Sequence, residues 1–392
     1  MQLKLSFVAG LIASSLALAA PVAEEKGINV ELTKRDSLTN GSGHVDFGKV
    51  DRHINALRAK YQKNLDNYQR NTGASHRVKR SLPEHLEKRA TGSVPLTDVS
   101  NELLWTGKIA YGTPAQSFNI DFDTGSSDTL VNAGTYRPGS SSTSVKTSKA
   151  FSTAYGDGTT AKGTVYTDAL TIGGLTASRV AIGLSTTTFV TDSAGISGMA
   201  FPNLAQFGSA YPPFFYSLKN QGKLNAGVFQ FTLAKTGSSL YLGGTDASKY
   251  SGSFTWSPVD SSQGFWLTSA SVNGLSIDSI VDTGTTVIVA PTNEAQSLFN
   301  RLGLDTFTQD NQLYGAYDCN SPPRVTFNYS GKAITLSGDT VKFGTTTDGS
   351  CVLSVVGGDV GISAWVTGDS LLQNTVAAFD VDNSRVGFAT KR

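Results

Sequence analysis

Two short phrases hold the residue types for acid–base chemistry. The first is Ile120-Asp121-Phe122-Asp123-Thr124-Gly125-Ser126-Ser127-Asp128, and the second is Ile280-Val281-Asp282-Thr283-Gly284-Thr285-Thr286. Asp123 and Asp282 stand 159 residues apart. Each follows an apolar run and is wrapped by short hydroxyl residues and one glycine. A buried carboxylate is costly unless its lone pairs are satisfied. The hydroxyls can donate to them, and glycine lets the backbone come close. A single Asp-Gly turn of this kind commonly does no more than cap itself. Two matched copies supply two dry, oriented carboxyls, and two carboxyls can form one acid–base site.

The elements that must position them are strands. Phe118, Ile120 and Phe122 alternate into Asp123, as in a buried strand that ends on the acid. Each phrase has a later echo, Ile196-Ser197-Gly198 and Trp365-Val366-Thr367-Gly368-Asp369, so two halves of similar plan are expected. From Ala90 onward short alternating runs are separated by Gly, Ser, Thr, Asn and Asp, for example 108–111, 164–171, 228–233 and 240–242. Helical spacing is convincing only at 292–302, where Ala295, Leu298, Phe299 and Leu302 share a face. The body is therefore expected to be all-β, with few short helices.

Composition narrows the chemistry. All four His lie before Ala90, which removes Ser-His and Cys-His nucleophiles and His-held metal from the body. From Ala90 there are 17 Lys+Arg against 22 Asp+Glu, a net −5 that argues against nucleic acid as a partner. Residues 1–19 read as a signal peptide: Lys4, an apolar run to Leu18, and a small-x-small end at Ala17-Leu18-Ala19. Residues 20–89 read as a basic propeptide with a net +5, opposite in sign to the body. Acid would protonate body carboxylates and loosen such a clamp. Val50, Ile54, Leu57, Tyr61, Leu65 and Tyr68 fall at helical steps, and the segment ends at the dibasic pair Lys88-Arg89 after an earlier pair, Lys79-Arg80. A mature start at Ala90 is expected, with Ser81 as the other possibility. No apolar tail follows Phe388, so no membrane anchor is expected.

With these features assembled, the chain resembles the pepsin-like aspartic proteases, its fungal secreted members most closely. The resemblance runs from about Asn101 to Thr390. It rests on both Asp-Thr-Gly triplets, both echoes, Ile109 through Gln116, the flap-like Tyr155-Gly156-Asp157-Gly158, and the closing Phe379-Asp380 through Val386-Gly387-Phe388. It implies a bilobal pepsin-like fold with an N-terminal lobe at 90–255, a C-terminal lobe at 256–392 and a cleft between them. It implies an endopeptidase made as a zymogen, in which Asp123 and Asp282 share one proton because two close carboxyls cannot both ionise. One acts as general base on water, and the protonated partner hydrogen-bonds the scissile carbonyl. No metal or cofactor is implied. Ser126 and Thr285 are expected on the outer carboxyl oxygens; Thr124, Thr283, Gly125 and Gly284 are expected to orient the two turns.

The same resemblance makes Tyr155, Gly156 and Asp157 a flap over the substrate, with Asp157 associated with Lys beside the cut. It pairs Cys319 with Cys351, and likens Lys60-Tyr61 to a pair that plugs the carboxyls. Asn328-Tyr329-Ser330 is a glycosylation sequon. Expected partners are extended polypeptide substrates, the chain's own propeptide and pepstatin-type inhibitors. A secreted monomer is expected, with vacuolar delivery as the other destination. Three departures stand out: Leu130 where relatives often have Trp, no Cys in the first lobe, and Thr367 where an apolar residue is usual. A catalytically silent pepsin-fold binding protein is the alternative; an acid glycosidase would hold its carboxyls about 5–10 Å apart and has no need of duplicated Asp-Thr-Gly turns.

Overall fold

The computed structural model describes residues 27–34, 38–82, 105–154, 160–190 and 193–392. The expected signal peptide and the pair Lys88-Arg89 lie outside the described residues. So do Tyr155, Gly156 and Asp157.

Strands dominate, as the alternation predicts, and they form two sheets of thirteen and ten strands. In chain order the first elements are β1 (Ile28–Lys34), α1 (Phe47–Thr72), β2 (Trp105–Tyr111), β3 (Gln116–Asp123) and β4 (Thr129–Val131). They are followed by β5 (Val145–Ala154), β6 (Thr160–Ile172), β7 (Leu175–Ser185) and β8 (Gly195–Gly198). The helix expected at Thr292–Leu302 is present and buries Ala295, Leu298 and Phe299.

Each half delivers its aspartate in the same way. β3 pairs in parallel with β8, setting Phe122 beside Ser197 and Asp123 beside Gly198. In the second half Leu275–Val281 pairs in parallel with Trp365–Thr367, setting Val281 beside Thr367. Both sequence echoes are therefore strand partners of the strands that end on the acids. Their glycines are required: a Cβ on Gly198 would lie 2.4 Å from the Ser127 carbonyl carbon, and one on Gly368 would lie 2.0 Å from the Thr285 oxygen.

The lobes are not cut cleanly in sequence. The expected boundary at 255/256 falls inside the strand Tyr250–Pro258. That strand pairs with Arg385–Lys391, and Val376–Asp380 pairs with Val228–Thr232. The end of the chain is thus built into the thirteen-stranded sheet.

The basic N-terminal segment is structured too. α1 buries Val50, Ile54, Leu57, Tyr61, Leu65 and Tyr68, the six positions its spacing marks. Asp46 caps its start by accepting the Lys49 N–H, and Gly73 in the left-handed region ends it. These side chains share one apolar cluster with Leu204, Phe265, Val289, Tyr314, Val356 and Ile362 of the body. At ~1.5–3 kcal/mol per buried side chain, that contact is worth on the order of 10 kcal/mol as an upper bound. β1, which the sequence reading did not mark, inserts between β2 and the strand Ser239–Leu242. Among the described residues no helix is long and apolar enough to cross a membrane.

Cys319 and Cys351 form a disulfide across 32 residues. In the chain-entropy argument such a loop adds roughly 3–4 kcal/mol. Replacing both by Ala is expected to lower unfolding stability by about that amount in a urea titration, leaving the far-UV spectrum unchanged. An unchanged midpoint would show that the bridge adds nothing.

Candidate active site

Asp123 and Asp282 meet at the centre of the molecule, about 1% and 0% exposed. Oxygens of both carboxyls lie within 3.2 Å of a single ammonium, that of Lys60. Within each turn the pattern is the same. Asp123 accepts the Gly125 N–H at 2.9 Å on Oδ1 and the Ser126 hydroxyl at 2.5 Å on Oδ2. Asp282 accepts the Gly284 N–H at 3.0 Å on Oδ1 and the Thr285 hydroxyl at 2.7 Å on Oδ2.

Crossed bonds lock the two turns together. Thr124 donates its N–H to Thr283 Oγ1, and Thr283 donates its N–H to Thr124 Oγ1, each at 3.0 Å. The Thr124 hydroxyl then donates to the Val281 carbonyl and the Thr283 hydroxyl to the Phe122 carbonyl. Each hydroxyl both accepts and donates, so neither threonine can rotate without breaking bonds in the other half. The glycines act across the same axis. A Cβ on Gly125 would fall 2.5 Å from the Asp282 carboxyl, and one on Gly284 would fall 2.3 Å from Asp123 Oδ1. Each triplet glycine therefore makes room for the opposite acid.

α1 lies over this pair. The Lys60 ammonium is 3.0 Å from Asp123 Oδ1 and 2.9 Å from Asp282 Oδ2. The Tyr61 hydroxyl donates to Asp282 Oδ2 at 2.9 Å, and Asn64 donates to the Gly125 carbonyl at 2.7 Å. Burial works against the Lys60 charge, but the two carboxylates outweigh it and raise its pKa above the ordinary lysine value. Burial also raises Asp123, with Lys60 opposing and the neighbouring Asp282 adding to the rise. For Asp282 burial is outweighed by Lys60 and by the bonds from Asp123, Lys60 and Thr285, and the carboxyl falls to about 2. The two carboxyls thus titrate as one unit and not as independent acids. Asn64 escaped the sequence reading, although it lies four residues beyond Lys60 on the same helix face.

Two residues before Asp123, Asp121 is buried on β3, opposite Thr106 in register. Leu130 is buried among Phe151, Ala161, Val165 and Phe207. Thr367 donates its hydroxyl to the Ile280 carbonyl and hydrogen-bonds Ser279, which an apolar residue there could not do. Asn328 sits at a strand end and accepts the Gly331 N–H.

A two-halved β frame that buries a locked pair of Asp-Thr-Gly carboxyls defines an aspartic peptidase. Residues 104–391 match the family described as eukaryotic aspartyl protease. The chain belongs to that pepsin-like family. It is 42% identical over 396 residues to secreted aspartyl protease 1 of Malassezia globosa, covering 99% of each chain. It is 38% identical over 345 residues to an aspartic protease of Phaffia rhodozyma, covering 81% of this chain and 83% of that one. Pig pepsin A is 31% identical over 314 residues, covering 72% and 80%.

The glycine geometry is testable. Gly125→Ala or Gly284→Ala is expected to force the carboxyls apart, lower kcat by about a hundredfold or more, and lower the melting temperature by a few degrees as the crossed bonds strain. Near-normal kcat in both variants would show that the spacing tolerates a methyl group.

Proposed function

We propose that this endopeptidase is made as a secreted zymogen whose own N-terminal segment holds it silent until acid releases it. The single observation that carries this reading is the Lys60 ammonium seated between both carboxyls. An ammonium there offsets part of the pair's charge and stands where a substrate carbonyl and its attacking water must meet. Once α1 leaves, the carboxyls share a proton, the pattern long established for this class. The ionised member takes a proton from water as that water attacks the peptide carbon. The protonated member donates to the carbonyl oxygen and stabilises the tetrahedral intermediate. Proton return to the amide nitrogen completes the cleavage. Substrates lie extended in the cleft beneath a flap formed by Tyr155, Gly156 and Asp157. β5 and β6, the strands before and after that stretch, pair with each other as far as Ala154 and Thr160. The first cut falls in the linker after α1, at Lys79-Arg80 or Lys88-Arg89.

A second group senses acid. His76 is 3% exposed, with its ring between Tyr68 and Phe265. Its Nε2 contacts the Gln263 carbonyl at 2.7 Å, so that nitrogen carries the proton, and its Nδ1 accepts the Val78 N–H at 3.2 Å. A second proton would have to sit on Nδ1, facing the Val78 donor. Burial lowers the His76 pKa, with the Arg77 charge adding to it; the Gln263 bond and Asp260 act the other way. The sign follows: the docked form is intact above the ordinary imidazole value of about 6.5 and loses stability as pH falls below it.

Three outcomes are expected. The full chain is inert towards denatured haemoglobin at neutral pH and cleaves it at about pH 4, and pepstatin or Asp282→Asn abolishes the cleavage; cleavage surviving Asp282→Asn rejects the dyad. Lys60→Gln gives measurable cleavage at a pH where the parent chain is silent; silence equal to the parent's rejects the plug. His76→Gln lowers the pH midpoint for loss of the segment by about 0.5 unit, and an unmoved midpoint rejects the imidazole as a sensor.

A further inference from the structure

Next to Asp123 the first lobe has a small opening, with about 50 Å³ of water-accessible space, beside the dyad. Its walls on the body side are Ser126, Asp128, Leu130, Thr153 and Gln206. Among the described residues that line it, Asp128 is the only acid besides Asp123 itself. Its carboxylate is held from behind: Oδ2 accepts the Gln206 N–H at 2.6 Å and Oδ1 accepts the Phe207 N–H at 3.2 Å. One backbone donor serves each oxygen, and each keeps acceptor capacity for another donor. An anchored carboxylate with spare lone pairs, in a recess beside the reacting centre, is built to receive a cation.

The chain's own segment places cations on this opening. Lys60 and Lys63 of α1 line it together with Asn64 and Asn67. Lys60 goes to the dyad, whereas Lys63, one turn further, is half-buried and feels the charge of Asp128. Arg70 and Lys63 in turn act on Asp128, whose carboxyl burial raises to about 6. When α1 leaves, so do the two cations and much of that burial.

We propose that Asp128 is the specificity residue of a first-lobe subsite adjacent to Asp123, and that this subsite receives a lysine or arginine side chain of the substrate. The inference rests on the peptidase reading and adds the side chain that the cleft selects. Gln206 and Thr153 supply the polar rim, their side chains meeting at 3.4 Å. Leu130, on a floor formed with Phe151 and Phe207, packs against the aliphatic stem of the incoming residue. The ammonium or guanidinium then pairs with Asp128 at the end of the recess.

The test uses the acid-processed enzyme and a peptide series in which each position flanking one cut carries either lysine or norleucine, which share a stem and differ in charge. Assays run at about pH 5.5, above the ordinary carboxyl range, where an uncovered Asp128 is ionised. At one position kcat/KM is expected to favour lysine by about tenfold. Asp128→Asn is expected to bring that ratio to near one and leave the ratios elsewhere unchanged. Because Asn offers one acceptor oxygen to two backbone donors, that variant can fold poorly, so Gln206→Lys serves beside it. It keeps Asp128 and its backbone bonds, sets a fixed ammonium in the recess, and is expected to abolish the same preference. Lysine and norleucine peptides cut equally by the parent enzyme overturn the subsite and leave the peptidase intact. A lysine preference that survives both variants assigns it to another acid and overturns the role of Asp128. Peptides left uncut overturn both readings.

Discussion

Two carboxylates buried side by side are the constraint from which the rest of the molecule follows. At 1% and 0% exposure, neither Asp123 nor Asp282 can carry a full charge without a partner close at hand. Two partners are available, a proton shared between them or a cation from outside. In this structure the cation is Lys60, and every oxygen of the pair also receives a backbone or hydroxyl donor. On the proposed zymogen reading, exchange of that ammonium for a shared proton separates the silent site from the active one.

Holding two acids this close requires symmetry in the frame. The crossed threonine bonds make each turn the support of the other, so displacement of one half strains both. Gly125 and Gly284 remove the side chains that would stand between the acids, and Gly198 and Gly368 let the partner strands approach the turns from behind. Four glycines in two matched pairs therefore set a separation that no hydrogen bond alone could set. The N-terminal segment uses the same frame. Its helix completes an apolar cluster that the body leaves open at the cleft, and its polar face meets the acids. Apolar contact gives that segment its hold, and Lys60, Tyr61 and Asn64 beside that contact meet the dyad turns.

Much of this was legible before any coordinates. The β class, the helix at Thr292–Leu302 and the buried stripe of α1 follow from periodicity, because side chains on one face share one environment. The strand β1 was legible and passed over: Ile28, Val30 and Leu32 alternate with Asn29, Glu31 and Thr33, but what the run pairs with is set by the two edges that β2 and Ser239–Leu242 offer it. The lobe boundary was hidden, since the strands that cross it pair with partners more than a hundred residues away. Asn64 and His76 read as ordinary polar residues of a charged segment. Their importance lies in what faces them, the Gly125 carbonyl in one case and Phe265 with Gln263 in the other.

The amino-acid order alone determined which groups can react. Duplicated Asp-Thr-Gly turns, a body without histidine and one pair of cysteines leave carboxyl chemistry as the means of hydrolysis, because those choices are made residue by residue. Only the tertiary structure decided how those groups stand to one another. Whether two acids 159 residues apart share a proton depends on distances of an ångström. Those distances arise where glycines, threonines and an ammonium from remote parts of the chain converge, and no local pattern encodes that convergence.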